Sequence, residues 1–105
     1  MTLQQIPINL NREKTYIRSF ITWGEDTYIF TFQWSFYCKS AFLSIADYDN
    51  NPIITGRALT NGLTIRNHNL PNVLYFDHKN NKTFEPTLNT ISSEFILYFD
   101  DEETV

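Results

Sequence analysis

Aromatic and smaller residues alternate with a period of two in the middle of the chain, over residues 27–35. The aromatic positions of this stretch are Tyr28, Phe30, Phe32 and Trp34. Side chains along a β-strand point alternately to the two faces of a sheet, so these four rings share one face. A face this large and apolar is expected to lie in the core.

The same alternation returns at 41–47 after a short polar break, which predicts a central antiparallel hairpin. A strand at 15–23, followed by the turn residues Gly24 to Asp26, predicts a second hairpin before it. Further strands are predicted at 53–55, 63–65, 73–77 and 94–100, and Gly56 is expected to bend the first of these. No helical period is sustained. The pattern predicts an all-β fold, a small antiparallel β-barrel or sandwich of about six or seven short strands.

The length of 105 residues predicts a single β domain over 1–105. Residues 1–14 are interpreted as an N-terminal arm or edge strand, because Pro7 lacks one ladder donor. We expect the first ten residues to serve assembly rather than folding. Residues 78–90 form a long polar connection that Phe84 and Leu88 would anchor, and residues 101–105 form an acidic tail.

Charge and cysteine content exclude several classes of protein. Eight Lys and Arg against twelve Asp and Glu give a net charge of −4, with no basic stripe for nucleic acid. A single cysteine cannot form an internal disulfide, and the two isolated histidines offer no metal spacing. No signal peptide or membrane-spanning apolar run is recognised, so synthesis in a cytosol is expected, with no cofactor and no membrane partner.

Catalytic motifs are not recognised, since no Ser or Cys stands in a known arrangement with His68 or His78. The aspartates near strand ends are expected to cap turns. The residues alone therefore predict a non-enzymatic, soluble all-β domain. One alternative is a small carbohydrate- or peptide-binding module, in which an exposed Trp23 or Tyr48 would stack on a ligand. Trp23, which adjoins the Gly24 turn, is a better candidate for an exposed ring than the four aromatic residues of 28–34.

Short motifs follow one another in a fixed order along nearly the whole chain. They are Ile6-Pro7-Ile8, Gly24 to Tyr28, Ala41 to Asp47, Pro52 to Gly56, Leu59 to Gly62, Leu70 to Leu74, Pro86-Thr87 and Leu97 to Asp100. This order resembles that of the small plug proteins of contractile-tailed phage baseplates, a family exemplified by the cyanophage baseplate plug.

Several positions depart from the pattern of that family. Ala41 stands where a Trp is expected, and either Phe42 or Trp34 would fill the space. Asparagine at 50 or 51, asparagine at 72 and Ser93 stand where Gly is common. Asparagine tolerates the left-handed region, so the turns are expected to keep their form.

The resemblance implies a structural role as a plug or hub protein at the tube axis of a contractile phage or prophage tail. It implies a location in the virion tail baseplate, assembly in the bacterial host cytoplasm, and contacts with other baseplate, hub and tail-tube proteins. A homo-oligomer is expected, with three copies by analogy. The predicted interface residues are Ile6, Pro7, Ile8, Trp23, Arg66, His68, Leu70, Pro71, Asp100, Asp101 and Glu102.

Overall fold

A computed structural model describes residues 3–100, which contain β-strands and no helix. The eight strands of this range are β1 Leu3–Ile6, β2 Tyr16–Trp23, β3 Asp26–Ser35, β4 Ser40–Asp47, β5 Pro52–Ala58, β6 Leu63–Ile65, β7 Leu74–His78 and β8 Phe95–Asp100. They form two antiparallel sheets, in the orders β1-β8-β7-β6 and β2-β3-β4-β5. The all-β prediction is confirmed, and the two sheets are a sandwich rather than a closed barrel.

The sheet β2-β3-β4-β5 is a series of hairpins that are consecutive in sequence. β2 and β3 pair from Tyr16 opposite Gln33 to Trp23 opposite Asp26, and Gly24 in the connecting turn has a φ of 69°. β4 pairs with β3 over the whole length of β4, from Tyr28 opposite Asp47 to Ser35 opposite Ser40, which confirms the predicted central hairpin. The register of β5 shifts along β4, and Gly56 within β5 has a φ of 61°, as the expected bend requires.

The aromatic face of β3 lies in the core, as its period predicts. Phe30 and Phe32 are fully buried, while Tyr28 and Trp34 keep less than a tenth of their surface exposed. Ala41, which is also fully buried, lies directly opposite Trp34 in the β3–β4 ladder. A small residue on one strand therefore leaves room for a large ring on its neighbour, which fits the expectation that Trp34 compensates for the missing Trp at 41.

The N-terminal segment is part of the folded unit. β1 is an edge strand that pairs with β8, with Ile6 opposite Leu97. Ile6, Ile8 and Leu10 all belong to the buried core cluster. Apolar side chains that fill the core stabilise folding, so the expectation that these residues serve assembly alone is wrong.

The polar connection between β7 and β8 is held against the sandwich by Asn61. The Asn61 side-chain amide donates to the carbonyl oxygens of Lys82, at 2.6 Å, and Phe84, at 3.2 Å, and its backbone N–H donates to Glu85 Oε1. Leu88 is buried, as expected of an anchor, whereas Phe84 remains 44% exposed.

Truncating Leu10 to Ala tests the place of the N-terminal segment in the core. Because Leu10 is fully buried, Leu10→Ala should lower the free energy of unfolding by about 2–5 kcal/mol. The matched control is Leu3→Ala, at a side chain 58% exposed, which should change it by no more than about 0.5 kcal/mol. Urea denaturation measures both values, and an equally small loss for the two variants would contradict the assignment.

Candidate interface sites

Trp23, at the end of β2, is buried in a cage of other rings. Its ring centroid lies 5.6 Å from that of Tyr28, 6.0 Å from that of Phe30 and 4.9 Å from that of Phe99 in the opposite sheet. Only 1% of Trp23 is exposed, so Trp23 is not the exposed ring that the interface and ligand-stacking hypotheses require. The Gly24 turn follows Trp23 in sequence, but the side chain points into the sandwich, where burial of a large ring is most favourable.

The indole N–H of Trp23 is satisfied by the loop at residues 66–72. Trp23 Nε1 donates to Asn72 Oδ1 at 2.9 Å, and Asn72 is itself buried. A buried N–H needs an acceptor, so this bond ties the loop to the end of β2. Asn72 is absent from the positive-φ positions of residues 3–100, whereas Asn50, with a φ of 67°, adopts the expected left-handed conformation.

The 66–72 loop exposes some of its predicted interface residues and buries others. Leu70 is buried and Pro71 is half-buried beside Gly24. Arg66 and His68 are exposed. The loop backbone between them is held by Asn67, whose Oδ1 accepts the N–H of Asn69 and whose carbonyl accepts the N–H of Leu70. Arg66 and His68 therefore project from a fixed support.

Close to the two ends of residues 3–100, fewer predicted interface residues are exposed than the sequence suggests. Of the predicted triplet, Ile6 and Ile8 are buried by their own domain, and only Pro7 is exposed. Asp100 is buried at the end of β8, opposite Leu3. The predicted contacts Asp101 and Glu102 lie outside the described residues.

Exposed aromatic residues lie on the outer face of β2, where no site was predicted. Tyr16 and Phe20 are each about 60% exposed, and Tyr48, just after β4, lies 6.4 Å from Phe20 between ring centroids. The guanidinium carbon of Arg18 lies 5.8 Å from the centre of the Phe20 ring. The signal was present in the alternation, because Tyr16 and Phe20 occupy the face of β2 opposite to the buried Trp23.

Acidic groups line an open hollow of about 520 Å³ between the β2–β3 and β4–β5 turns. The backbone and side-chain N–H groups of Asn51 donate to the Asp47 carboxylate, at 2.8 and 3.1 Å, and hold its pKa below the usual value. This confirms the expectation of a turn cap at Asp47. Burial, then the charges of Asp26 and Asp47, raise the pKa of Tyr28.

Tyr98 and Asp77 form a short hydrogen bond on the β7–β8 ladder. The Tyr98 hydroxyl donates to Asp77 Oδ2 at 2.6 Å, and the Tyr75 ring stacks on that of Tyr98. Burial, followed by this bond and the charge of Asp77, raises the pKa of Tyr98 to about 12. The bond is structural, since it joins side chains on neighbouring strands.

His78 is buried at the end of β7 in a cluster of three rings with Phe84 and Phe95. Its Nδ1 accepts the N–H of Asn80 at 2.9 Å, which closes the turn after β7. Its Nε2 lies 3.5 Å from Glu94 Oε1 and makes no hydrogen bond with the described residues. Within residues 3–100, three or more His, Cys, Asp or Glu side chains are nowhere grouped so as to hold a metal ion.

These features define a class of protein: an all-β sandwich with a closed aromatic core and an exposed loop at residues 66–72 whose backbone is held by hydrogen bonds. The sequence of residues 3–102 matches the family described as Cyanophage baseplate Pam3 plug gp18. The chain belongs to this family of phage baseplate plug proteins. None of the curated proteins matches the chain. In the described part of the chain, no helix has the length and apolarity to cross a membrane.

A double-mutant cycle tests the bond between Trp23 and the loop. Asn72→Ala should lower the free energy of unfolding by about 1–3 kcal/mol, because the buried indole N–H loses its acceptor. In a Trp23→Phe background the same change should cost at least about 1 kcal/mol less, since no N–H is left unpaired. Equal costs in the two backgrounds, measured by urea denaturation, would show that the bond contributes nothing.

Alkaline titration tests the Tyr98–Asp77 bond. The raised pKa means that the fold favours neutral Tyr98, so its contribution is complete below the unfolded value of 10.0 and is lost as pH rises through about 12. Tyr98→Phe should therefore make the free energy of unfolding fall less steeply between these pH values. Tyr37→Phe, at a side chain 97% exposed, is the control for the loss of a tyrosine hydroxyl, and equal slopes for the two variants would contradict the role of the Tyr98–Asp77 bond.

Proposed function

We propose that this chain is a non-enzymatic plug or hub subunit at the tube axis of a contractile phage or prophage tail. The observation that carries the proposal is the family match, which spans all of the described fold. A plug acts by filling space and by contacting its neighbours, and a sandwich with a close-packed aromatic core supplies a rigid body for that purpose.

Arg66 and His68 are the contacts that we propose for other baseplate components. Both are exposed on a loop whose backbone is fixed by the Trp23–Asn72 bond and by Asn67. A fixed loop loses little conformational entropy when it binds, so such a surface is preorganised for a partner. Pro7 and the acidic residues Asp101 and Glu102 are additional proposed contacts, the latter two for a basic surface on a neighbour.

We propose that the protein assembles in the cytoplasm of a bacterial host and occupies the axis as a homo-oligomer of three copies. Closed cyclic symmetry lets a small domain surround or fill an axis, which supports this arrangement. The number three rests on analogy with axial hub components.

The exposed ring pair Phe20 and Tyr48 supports a second candidate, the binding of a carbohydrate or peptide. Trp23, being buried, would not take part in stacking. Titration of the protein with a glycan panel, followed by the ¹H–¹³C NMR signals of the two rings, tests this function. Unchanged signals across the panel would remove it.

Mass spectrometry of tail particles tests the proposed location. Particles purified after induction of the source bacterium should contain this chain at a few copies each. Particles that carry tube and sheath proteins but lack the chain would overturn the proposal.

The double substitution Arg66→Ala with His68→Ala tests the contact surface. Both side chains are exposed, so the variant should fold normally. Its incorporation into particles should fall about tenfold, as expected for the loss of about 1.4 kcal/mol of contact energy. The matched control replaces the exposed Lys79 and Lys82 by Ala and should assemble normally. Equal incorporation of both variants would show that the loop makes no essential contact.

A further inference from the structure

The free edges of the two sheets differ in how they discourage pairing with another chain. β1 and β6, the edges of one sheet, have four and three residues in the part of the chain that the structure describes. β5 begins with Pro52 and has two register shifts. Short edges, prolines and bulges all hinder the addition of a strand. β2 has eight residues in unbroken register with β3, and no strand within residues 3–100 pairs with its other side.

The β3 ladder shows which backbone groups of β2 are free. The Trp34 N–H donates to the Thr15 carbonyl at 2.8 Å, so the odd-numbered residues of this segment are hydrogen-bonded to β3. The N–H and C=O groups of the even-numbered residues therefore point to the open edge. These residues are Tyr16, Arg18, Phe20 and Thr22.

Side chains on both faces of β2 are incompletely covered. On the inner face, Ile17 and Ile21 pack against the core but are only partly buried. On the outer face, Tyr16 is 59% and Phe20 62% exposed. A strand added at this edge would cover apolar surface on both faces at once and pair the free backbone groups.

We propose that the β2 edge binds β2 of a second copy of this chain, antiparallel, about a two-fold axis at Ser19. A two-fold axis normal to the sheet keeps each face of β2 on the same side, so residues of equal parity lie opposite each other. The axis therefore runs midway between the two copies of a single residue. With the axis at Ser19, Arg18 lies opposite the partner's Phe20 on the outer face, and Ile17 lies opposite the partner's Ile21 on the inner face.

This register is self-complementary in charge and in shape. The guanidinium of Arg18 already lies over the Phe20 ring of its own strand, and across the axis it gains a second aromatic neighbour. Ile17 and the partner's Ile21 form apolar pairs on the inner face. An axis at Arg18 would instead oppose two like charges. The inner and outer faces therefore both favour Ser19.

The dimer proposed at the β2 edge goes beyond the proposed role in the baseplate and is independent of that role. Three two-fold pairs around one axis would give six copies with three-fold symmetry, so this contact replaces the three-copy arrangement proposed above by one of six copies. The isolated protein should sediment as a dimer, or as a hexamer of three dimers. A monomer at every concentration tested, or a trimer, would overturn the proposal and leave the baseplate role unaffected.

Two substitutions of Phe20 test the register. Phe20→Lys would lie opposite the partner's Arg18 and repel it, whereas Phe20→Glu would attract it. The dimer dissociation constant of Phe20→Lys should exceed that of Phe20→Glu by about tenfold or more, because the contact between position 20 and Arg18 occurs twice in each dimer. Equal constants would contradict an axis at Ser19. Both changes lie at an exposed side chain, and circular dichroism checks their folding.

Tyr48→Ser is the matched control for loss of an exposed ring. Tyr48 is 69% exposed and neighbours Phe20, but it lies outside β2. Its substitution should leave the dissociation constant of the dimer unchanged. A loss of the dimer equal to that in Phe20→Lys would place the contact on the outer face of the sheet rather than at the β2 edge.

Discussion

The burial of Trp23 is the constraint on which much of this structure depends. Its ring contacts the aromatic residues of β3 and also Phe99 of the opposite sheet, so it joins the two layers of the sandwich. A buried indole N–H requires an acceptor, and Asn72 supplies it from the 66–72 loop. One side chain thereby fixes both the packing of the sheets and the position of the loop.

Single polar side chains hold other loops of the molecule in the same way. Asn61 holds the long connection after β7, and His78 closes the turn at its start. These hydrogen bonds pair backbone carbonyl and N–H groups of the loop and hold it close to the sandwich. The surfaces of residues 3–100 proposed for contacts are the exposed side chains of the 66–72 loop and the β2 edge, and the outer aromatic residues lie beside that edge. A protein that works by contact with its neighbours needs such a division between rigid body and exposed surface.

The sequence predicted the strands better than the sites. Periods of two identified β2, β3 and β4 and the buried face of β3, because a strand with one buried face alternates apolar and polar residues along its sequence. Asn50 was expected in a left-handed turn and is found there, whereas Asn72, a similar replacement for Gly, acts through its side chain. The interface prediction rested on position near turns and ends. It therefore included Trp23, Ile6 and Ile8, which the core requires.

The sequence by itself determined the all-β class, the order of the hairpins and the membership of the plug family, because local alternation, turn residues and motif order are properties of neighbouring positions. Only the tertiary structure decided that the strands form two open sheets, that the N-terminal segment completes the core and that Trp23 points inward. Those outcomes depend on contacts between residues distant in sequence, such as Trp23 with Asn72 and Ile6 with Leu97. A local pattern does not specify which apolar segments pack together, because the hydrophobic effect is non-directional and stabilises any complementary pair.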